Sequence, residues 1–401
     1  GDSEQIDSKL ATKKSIDDIF RQAQKAYNAW CKLPTEERTT DALLKMLDFD
    51  FFEVLDSVTI ARSRKHIQTY YDVADIGNFP KRNKPISLRP KLTTLPNAIN
   101  YKEVFELLSK LHLTIYTPTA FIQPSKLQKY LSEDETEKFR NGRELGIQRL
   151  MSINLLKRME SSVHSFLLTV KRIYDYLYDT SQAIDDFMAA GTNNLDEICD
   201  LSGEADDFDY DDQNTDFFNV GKKVKIDLHD MDYISWKREI DEDIENLQLL
   251  ILMVEDITPE YDFKLNELLR IIREKVDSPI NPGNKKILIF TAFSDTAEYL
   301  FDNISGIALN ELGLHTALVT GSVDGKTTIP KFKADMNHVL ACFSPKSKDR
   351  DVLYPKDKTD IDILIATDCI SEGQNLQDCD YCVNYDIHWN PVRIIQRFGR
   401  I

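Results

Sequence analysis

The chain has no apolar run long enough to cross a bilayer, the longest being the short stretch from Leu249 to Val254. Its polar, acidic N-terminus does not read as a signal peptide. Cysteine is scarce, six in 401 residues, and scattered singly apart from Cys379 and Cys382. That usage excludes a disulfide framework and predicts reduced thiols in a cytoplasm. The C-D-Y-C pair has redox or zinc spacing but no second pair, and residues three apart on a strand point to opposite faces, so it reads as core. The histidines show neither H-E-x-x-H nor a Ser-His-Asp order. Neither G-x-x-x-x-G-K-[ST] nor D-E-x-H occurs anywhere. Gly321 to Thr327 comes nearest to a phosphate-cradling loop, but only three residues separate its glycines where four are needed. A P-loop kinase is the lesser reading of that stretch. The isolated chain is therefore expected neither to bind ATP tightly nor to hydrolyse it.

What is present describes an ordinary globular protein. Hydrophobic content of 42% supplies ample core material, and the length suits about two or three domains. The net charge of −17 argues against a nucleic-acid binder until its distribution is considered. Asp196 to Asp216 alone carries ten acidic residues and no basic one. Such a run is usually a solvated linker, and an autoinhibitory mimic of nucleic acid is the rarer alternative. Without it the balance is far less acidic.

Residues 1–280 read as largely helical, with an acidic loop near 195–216. In residues 1–60, Ile16, Ile19, Phe20, Ala23 and Tyr27 share one helical face. Asn78 to Pro90 is an extended, proline-bearing linker. Leu155, Met159, Val163, Phe166, Val170, Ile173 and Leu177 predict one long amphipathic helix, and Trp236 to Val254 a second. Pro279 to Gly283 breaks the pattern. No internal repeat is evident.

Residues 281–401 alternate short apolar strands with helical connections, which predicts a parallel sheet with helices on both faces. The expected strands are Lys286 to Thr291, His315 to Val319, Val339 to Phe343, Ile361 to Ala366 and Tyr381 to Tyr385. Ser294 or Asp295 is the expected cap of the first helix. Asp349 to Asp360 reads as an inserted surface loop. Hydroxyls, carboxylates and one glycine follow the strand at Ile361 to Ala366, at the end where crevices of open α/β sheets form. Gln396, Arg397 and Arg400 close the sequence, and a rigid guanidinium suits a polyphosphate.

These residues resemble a known family. Asp362 to Asn375 resembles motif five of superfamily-two helicases, and Asp386-Ile387-His388-Trp389-Asn390-Pro391 the D-x-x-W-N-P element of the Swi/Snf branch. Gln396-Arg397-Phe398-Gly399-Arg400-Ile401 resembles the start of motif six in its bacterial Q-R-x-G-R form. Softer matches lie upstream, at Val58 to Pro80, at Leu155 to Ser162 (L-L-K-R-M-E-S-S) and at Asp262 to Leu265 (D-F-K-L). On residue type alone, Lys157 and Arg158 would be an exposed helix face.

The resemblance implies the helical protrusion and second RecA-like lobe of a bacterial Swi/Snf-type ATPase that moves on nucleic acid, duplex DNA above RNA, with ATP and Mg²⁺ shared with a first lobe. In that frame Arg400 is the first arginine finger of motif six, and the sequence ends within the motif. Glu372, Gly373, Gln396 and Arg397 line the nucleotide cleft, with Arg397 supporting the site. Thr291, Thr320, Gly321, Thr367 and Ser371 grip the phosphate backbone, and Gly321 belongs to the T-G-S loop of a second lobe. Trp389 either packs or wedges against the backbone. Partners would be nucleic acid, the first lobe and a protein reached through the helical region. The absent P-loop leaves a different reading open, a degenerate helicase relative that serves as a protein-binding scaffold.

Overall fold

The computed structural model describes residues 15–34, 37–58, 83–96, 98–130, 137–190, 226–321, 325–370, 373–388 and 390–400. The acidic block, Trp389, Ser371, Glu372 and most of the Val58 to Pro80 stretch lie outside them. The chain divides into two compact units, residues 1–87 and 88–401.

The first unit contains helices α1 (Ile16–Cys31), α2 (Thr40–Met46) and α3 (Phe49–Val58). Ser15 and Thr39 cap α1 and α2 through their hydroxyls, as their residue types predict. Ile19 is buried, Phe20 meets Phe51 edge-on at 5.8 Å, and Trp30 Nε1 donates to the Thr39 carbonyl at 2.9 Å. Phe20 and Tyr27, expected on the covered face, remain exposed.

In the second unit a helical bundle precedes an α/β layer. Its helices are α4 (Tyr101–Leu108), α5 (Glu137–Ser161), α6 (Val163–Ala190) and α7 (Tyr233–Val254). Their apolar stripes converge on Leu155, Phe166, Val170, Leu177, Trp236, Ile240 and Leu247, all buried. Trp236 is completely enclosed and donates Nε1 to the Thr114 carbonyl at 3.2 Å. The single long helix expected from Leu155 to Leu177 is two helices broken at Ser162. The Ser162 hydroxyl accepts from Ser165 N at 3.0 Å and caps the second helix, while the apolar period runs on unchanged.

Helix α8 (Phe263–Asp277) begins at Asp262, whose carboxylate caps Leu265 N at 3.0 Å. A five-stranded mixed sheet follows: β1 (Ile287–Phe290), β2 (Thr316–Val319), β3 (Lys326–Thr327), β4 (Ile363–Ala366) and β5 (Cys382–Asn384), in the order β3-β2-β4-β1-β5. Four strands are parallel, and β3 pairs antiparallel at the edge. Burial on both faces explains the near-continuous apolar runs of β1, β2 and β4, whereas β5 is half-buried. Ile287, Ile289, Ile363 and Ile365 pack beneath α8 and α9 (Ser294–Leu312). Leu288, Phe290, Leu364 and Ala366 face α10 (Met336–Phe343). Although assigned to the helical region by the sequence pattern, α8 thus packs on the sheet.

Three further expectations are corrected. Val339 to Phe343 is helical, not a strand: Asp335 caps Asn337 N and His338 N, and an apolar run of five fits either a buried strand or a buried helix face. The cap residue of α9 is Phe293, with no side-chain cap. The Asp349 to Asp360 stretch is not a simple surface loop, since it holds the short helix α11 (Arg350–Leu353) and buries Arg350 against the Thr359 carbonyl (2.6 Å) and Asp360 (2.8 Å). No helix among the described residues is long and apolar enough to cross a membrane.

Because Trp236 fills the bundle core, Trp236→Ala is expected to destabilise the bundle by about 3–5 kcal/mol. Urea unfolding followed by far-ultraviolet circular dichroism checks this; a midpoint unchanged from wild type would contradict the packing described.

Candidate functional site

The carboxyl ends of the parallel strands collect most of the predicted contact residues. Thr320 and Gly321 follow β2, Thr367 follows β4 and Thr291 follows β1, so strand order sets them in one row. Backbone bonds extend the ladder into that row: Thr367 N donates to Val319 O at 3.2 Å and Thr291 N to Ala366 O at 3.1 Å. Gly321 is exposed and Thr320 half-buried. Thr367 is fully buried, and its hydroxyl has no hydrogen-bond partner among the described residues. Thr291 is also fully buried, and it gives its hydroxyl to Asp386 Oδ2 at 2.5 Å. The hydroxyl expected at the phosphate backbone is thus engaged by Asp386.

Two arginines, one in the last turn of a short helix and one just past its end, have opposite environments. Helix α12 (Pro391–Phe398) starts cleanly because Asn390 caps Val392 N at 3.0 Å and Pro391 occupies its first turn. Arg397 is 0% exposed and grips Asp368 through two parallel bonds, Nε to Oδ1 at 2.6 Å and Nη2 to Oδ2 at 2.7 Å. Nη1 reaches Asn384 Oδ1 and the Asp386 carbonyl, both at 3.3 Å, and the guanidinium lies 5.3 Å over the Phe290 ring. Burial works against its charge, but the Asp368 pair holds Arg397 above its ordinary pKa. Arg400 instead touches only backbone oxygens, Gln396 O at 3.2 Å and Gln374 O at 3.3 Å. Among the described residues it has no carboxylate partner. Its own carbonyl accepts from Leu376 N at 2.9 Å, which draws the loop after Gly373 alongside Arg400. Gly373 is exposed at φ +69°, a conformation that favours glycine. Gln396 is half-buried in the same helix.

A second constellation joins the bundle to the sheet. Ser161, at the end of α5, donates to Asp386 Oδ2 at 2.7 Å and shares a 2.8 Å bond with Thr296, which also meets Ser162 at 3.0 Å. Ala292 N donates to both Asp386 oxygens, at 2.8 and 3.0 Å. Arg158 is 4% exposed, bonded to Asp295 (2.7 Å) and Ser165 (3.1 Å), and lies over the Phe293 ring. The exposed face expected from residue type is therefore wrong at Arg158. Lys264 donates to the carbonyls of Glu160 (2.6 Å) and Ser161 (2.8 Å), the last of α5, with its ammonium 4.2 Å from the Tyr385 ring centre. Burial pushes Lys264 down to about 8, against the pull of Asp386, Glu160 and Asp262. Burial likewise raises Asp262, despite bonds from Leu265 N and Tyr299. The L-L-K-R-M-E-S-S and D-F-K-L stretches thus meet the ends of β1 and β5 at one place.

Sequence reasoning missed Asp368, Asp386 and the role of Arg158. A usable signal existed: an aspartate directly after two of the strands, Asp386 two residues past β5 and Asp368 two past β4, with one nearby arginine at Arg397 to serve both.

The family described as helicase conserved C-terminal domain matches residues 264–401. The match is confined to this segment. Its start coincides with α8, in agreement with the packing of that helix on the sheet. The chain is similar to YqhH, an uncharacterised ATP-dependent helicase of Bacillus subtilis, at 30% identity over 120 residues, 27% of this chain and 22% of the relative. It is also similar to fml2, a putative ATP-dependent DNA helicase of Schizosaccharomyces pombe, at 30% over 146 residues, 34% of this chain and 16% of that protein. In these matches the chain spans less than a quarter of either relative's length. The Pyrococcus furiosus Hef helicase domain overlaps at a TM-score of 0.34 with 17% identity, over 75% of this chain and 49% of that one, too little to argue from.

The two arginines should separate on substitution. Arg397→Met leaves Asp368 buried and unpaired, an expected loss of about 3–5 kcal/mol in denaturant unfolding, whereas Arg400→Met should cost less than about 1 kcal/mol. Equal losses would contradict the assignment.

Proposed function

We propose that this chain supplies the second motor lobe of an ATP-dependent translocase of Swi/Snf type that acts on duplex DNA. The observation that carries the reading is the contrast between Arg397 in α12 and Arg400 just past it, within the segment that matches the helicase C-terminal family. Arg397 is locked into the lobe by Asp368, while Arg400 is held only by two long bonds to carbonyls. A guanidinium so held turns outward at little cost, and an arginine offered across a cleft stabilises charge on a transferring phosphoryl group. A first lobe would hold ATP and Mg²⁺ through its P-loop and acidic strand end, which this sequence does not contain. Glu372, Gly373 and Gln396 would line the shared cleft, with Arg397 behind them as a positioning residue.

Thr320, Gly321, Thr367 and Ser371 would take the phosphate backbone, since hydroxyls and loop amides grip phosphates without reading sequence. Binding of this kind weakens steeply with salt. Alone, the chain should bind duplex DNA in that salt-dependent way and show no ATP turnover.

In the complete ATPase, Arg400→Ala should lower DNA-stimulated hydrolysis roughly a thousandfold or more and leave DNA affinity within about twofold. Stimulated turnover that survives the substitution would remove Arg400 from the catalytic role.

A further inference from the structure

Helix α10 carries His338 and Cys342 one turn apart on the same face, and Asp357 arrives from the loop after α11. His338 nitrogen, Cys342 sulfur and a carboxylate oxygen of Asp357 all lie within 4.8 Å of one another. Among the described residues no other group of three such side chains converges in this way. Asp357 Oδ2 is the common vertex, 2.6 Å from His338 Nε2 and 3.7 Å from Cys342 Sγ.

The three groups are held from behind. Asp357 Oδ1 accepts from Thr359 N at 2.8 Å, which leaves Oδ2 aimed at the other two. The His338 ring is sandwiched between Phe332, with centroids 4.4 Å apart, and Tyr354, at 4.3 Å. Cys342 is fully buried, and its carbonyl accepts from Ile361 N at 3.2 Å, two residues ahead of β4. His338 and Asp357 keep about a fifth of their surface exposed, which leaves an entry path. The sequence reading passed over this group because the ligands span a helix and a loop, with no C-x-x-C or H-x-x-x-H spacing.

We propose that His338, Cys342 and Asp357 form a zinc site with three protein ligands and one open position. An imidazole, a thiolate and a carboxylate together suit Zn²⁺ better than hard cations. Zinc–ligand bonds of about 2.0–2.3 Å imply ligand separations of roughly 3.3–3.5 Å. Cys342 and Asp357 already stand near that separation, and His338 and Asp357 need to part by less than about 1 Å. Binding releases the thiol proton to solvent and ties α10 to the loop that leads into β4. The site lies by the amino end of β4 and Thr367 just past its carboxyl end, so it is separate from the candidate interface.

Co²⁺ replaces Zn²⁺ as the probe, because a cobalt–thiolate bond adds a near-ultraviolet charge-transfer band. Titrated into the purified 401-residue chain, Co²⁺ should give that band with one equivalent, and Zn²⁺ should displace it. Cys342→Ser and His338→Gln should abolish the band, Asp357→Asn should weaken affinity roughly tenfold or more, and Cys379→Ser should change nothing. Asp357→Asn, on a partly exposed loop, keeps the test valid if Cys342→Ser does not fold. No band in the wild-type chain, or a band that survives Cys342→Ser or that Asp357→Asn leaves at full affinity, would overturn the site.

Discussion

The carboxylate of Asp386 is the fixed point around which the second unit is organised. It accepts from Ser161, from Thr291 and from the amide of Ala292, and so ties the end of α5 to the ends of β1 and β5. Bonds to a charged acceptor contribute about 1.5–3 kcal/mol each, and a buried carboxylate stripped of them would be very costly. The charge is balanced from two sides. Arg397 sits 3.9 Å from Asp386 while paired with Asp368, and the Lys264 ammonium acts from the side of the bundle. One guanidinium between two carboxylates needs that second cation.

The arrangement explains how a helical bundle can be fixed relative to the candidate interface without contributing to it. The bundle reaches the lobe through Arg158 and Ser162, which meet Asp295 and Thr296 in the first turn of α9, and through Ser161, which meets Asp386 two residues past β5. From Asp386 the network continues through Arg397 to Asp368, two residues past β4, beside Thr367. Positions far apart in sequence are thereby brought to one edge of the sheet. The same network leaves Arg400, three residues beyond Arg397, outside the cluster of paired charges.

Much of this was legible in the sequence, for identifiable reasons. Strands buried on both faces are short apolar runs, and β1, β2 and β4 fell where such runs occur. The C-terminal motifs placed Thr320, Gly321, Thr367 and the arginine helix at strand ends because chain order alone nearly fixes them there. Val339 to Phe343 misled because a run of five apolar residues has no period of its own, and the Asp335 cap decided for helix. The break at Ser162 was hidden because the apolar stripe continues across it. Arg158 was illegible in principle: its partner Asp295 is 137 residues away, and nothing local distinguishes a buried, paired arginine from a solvated one. Thr291 shows the converse, a motif residue whose hydroxyl turns inward because Asp386 lies behind it.

If Asp386 is the fixed point, its loss should loosen the ends of the elements it joins and spare the strands between them. Amide hydrogen exchange on the Asp386→Ala chain tests this directly. Protection at Ala292 and along α12 should fall roughly ten- to a hundredfold, while Leu288 in β1 and Ile365 in β4 keep theirs. Unchanged protection at Ala292 and α12, or an equal loss across the whole sheet, would contradict the account.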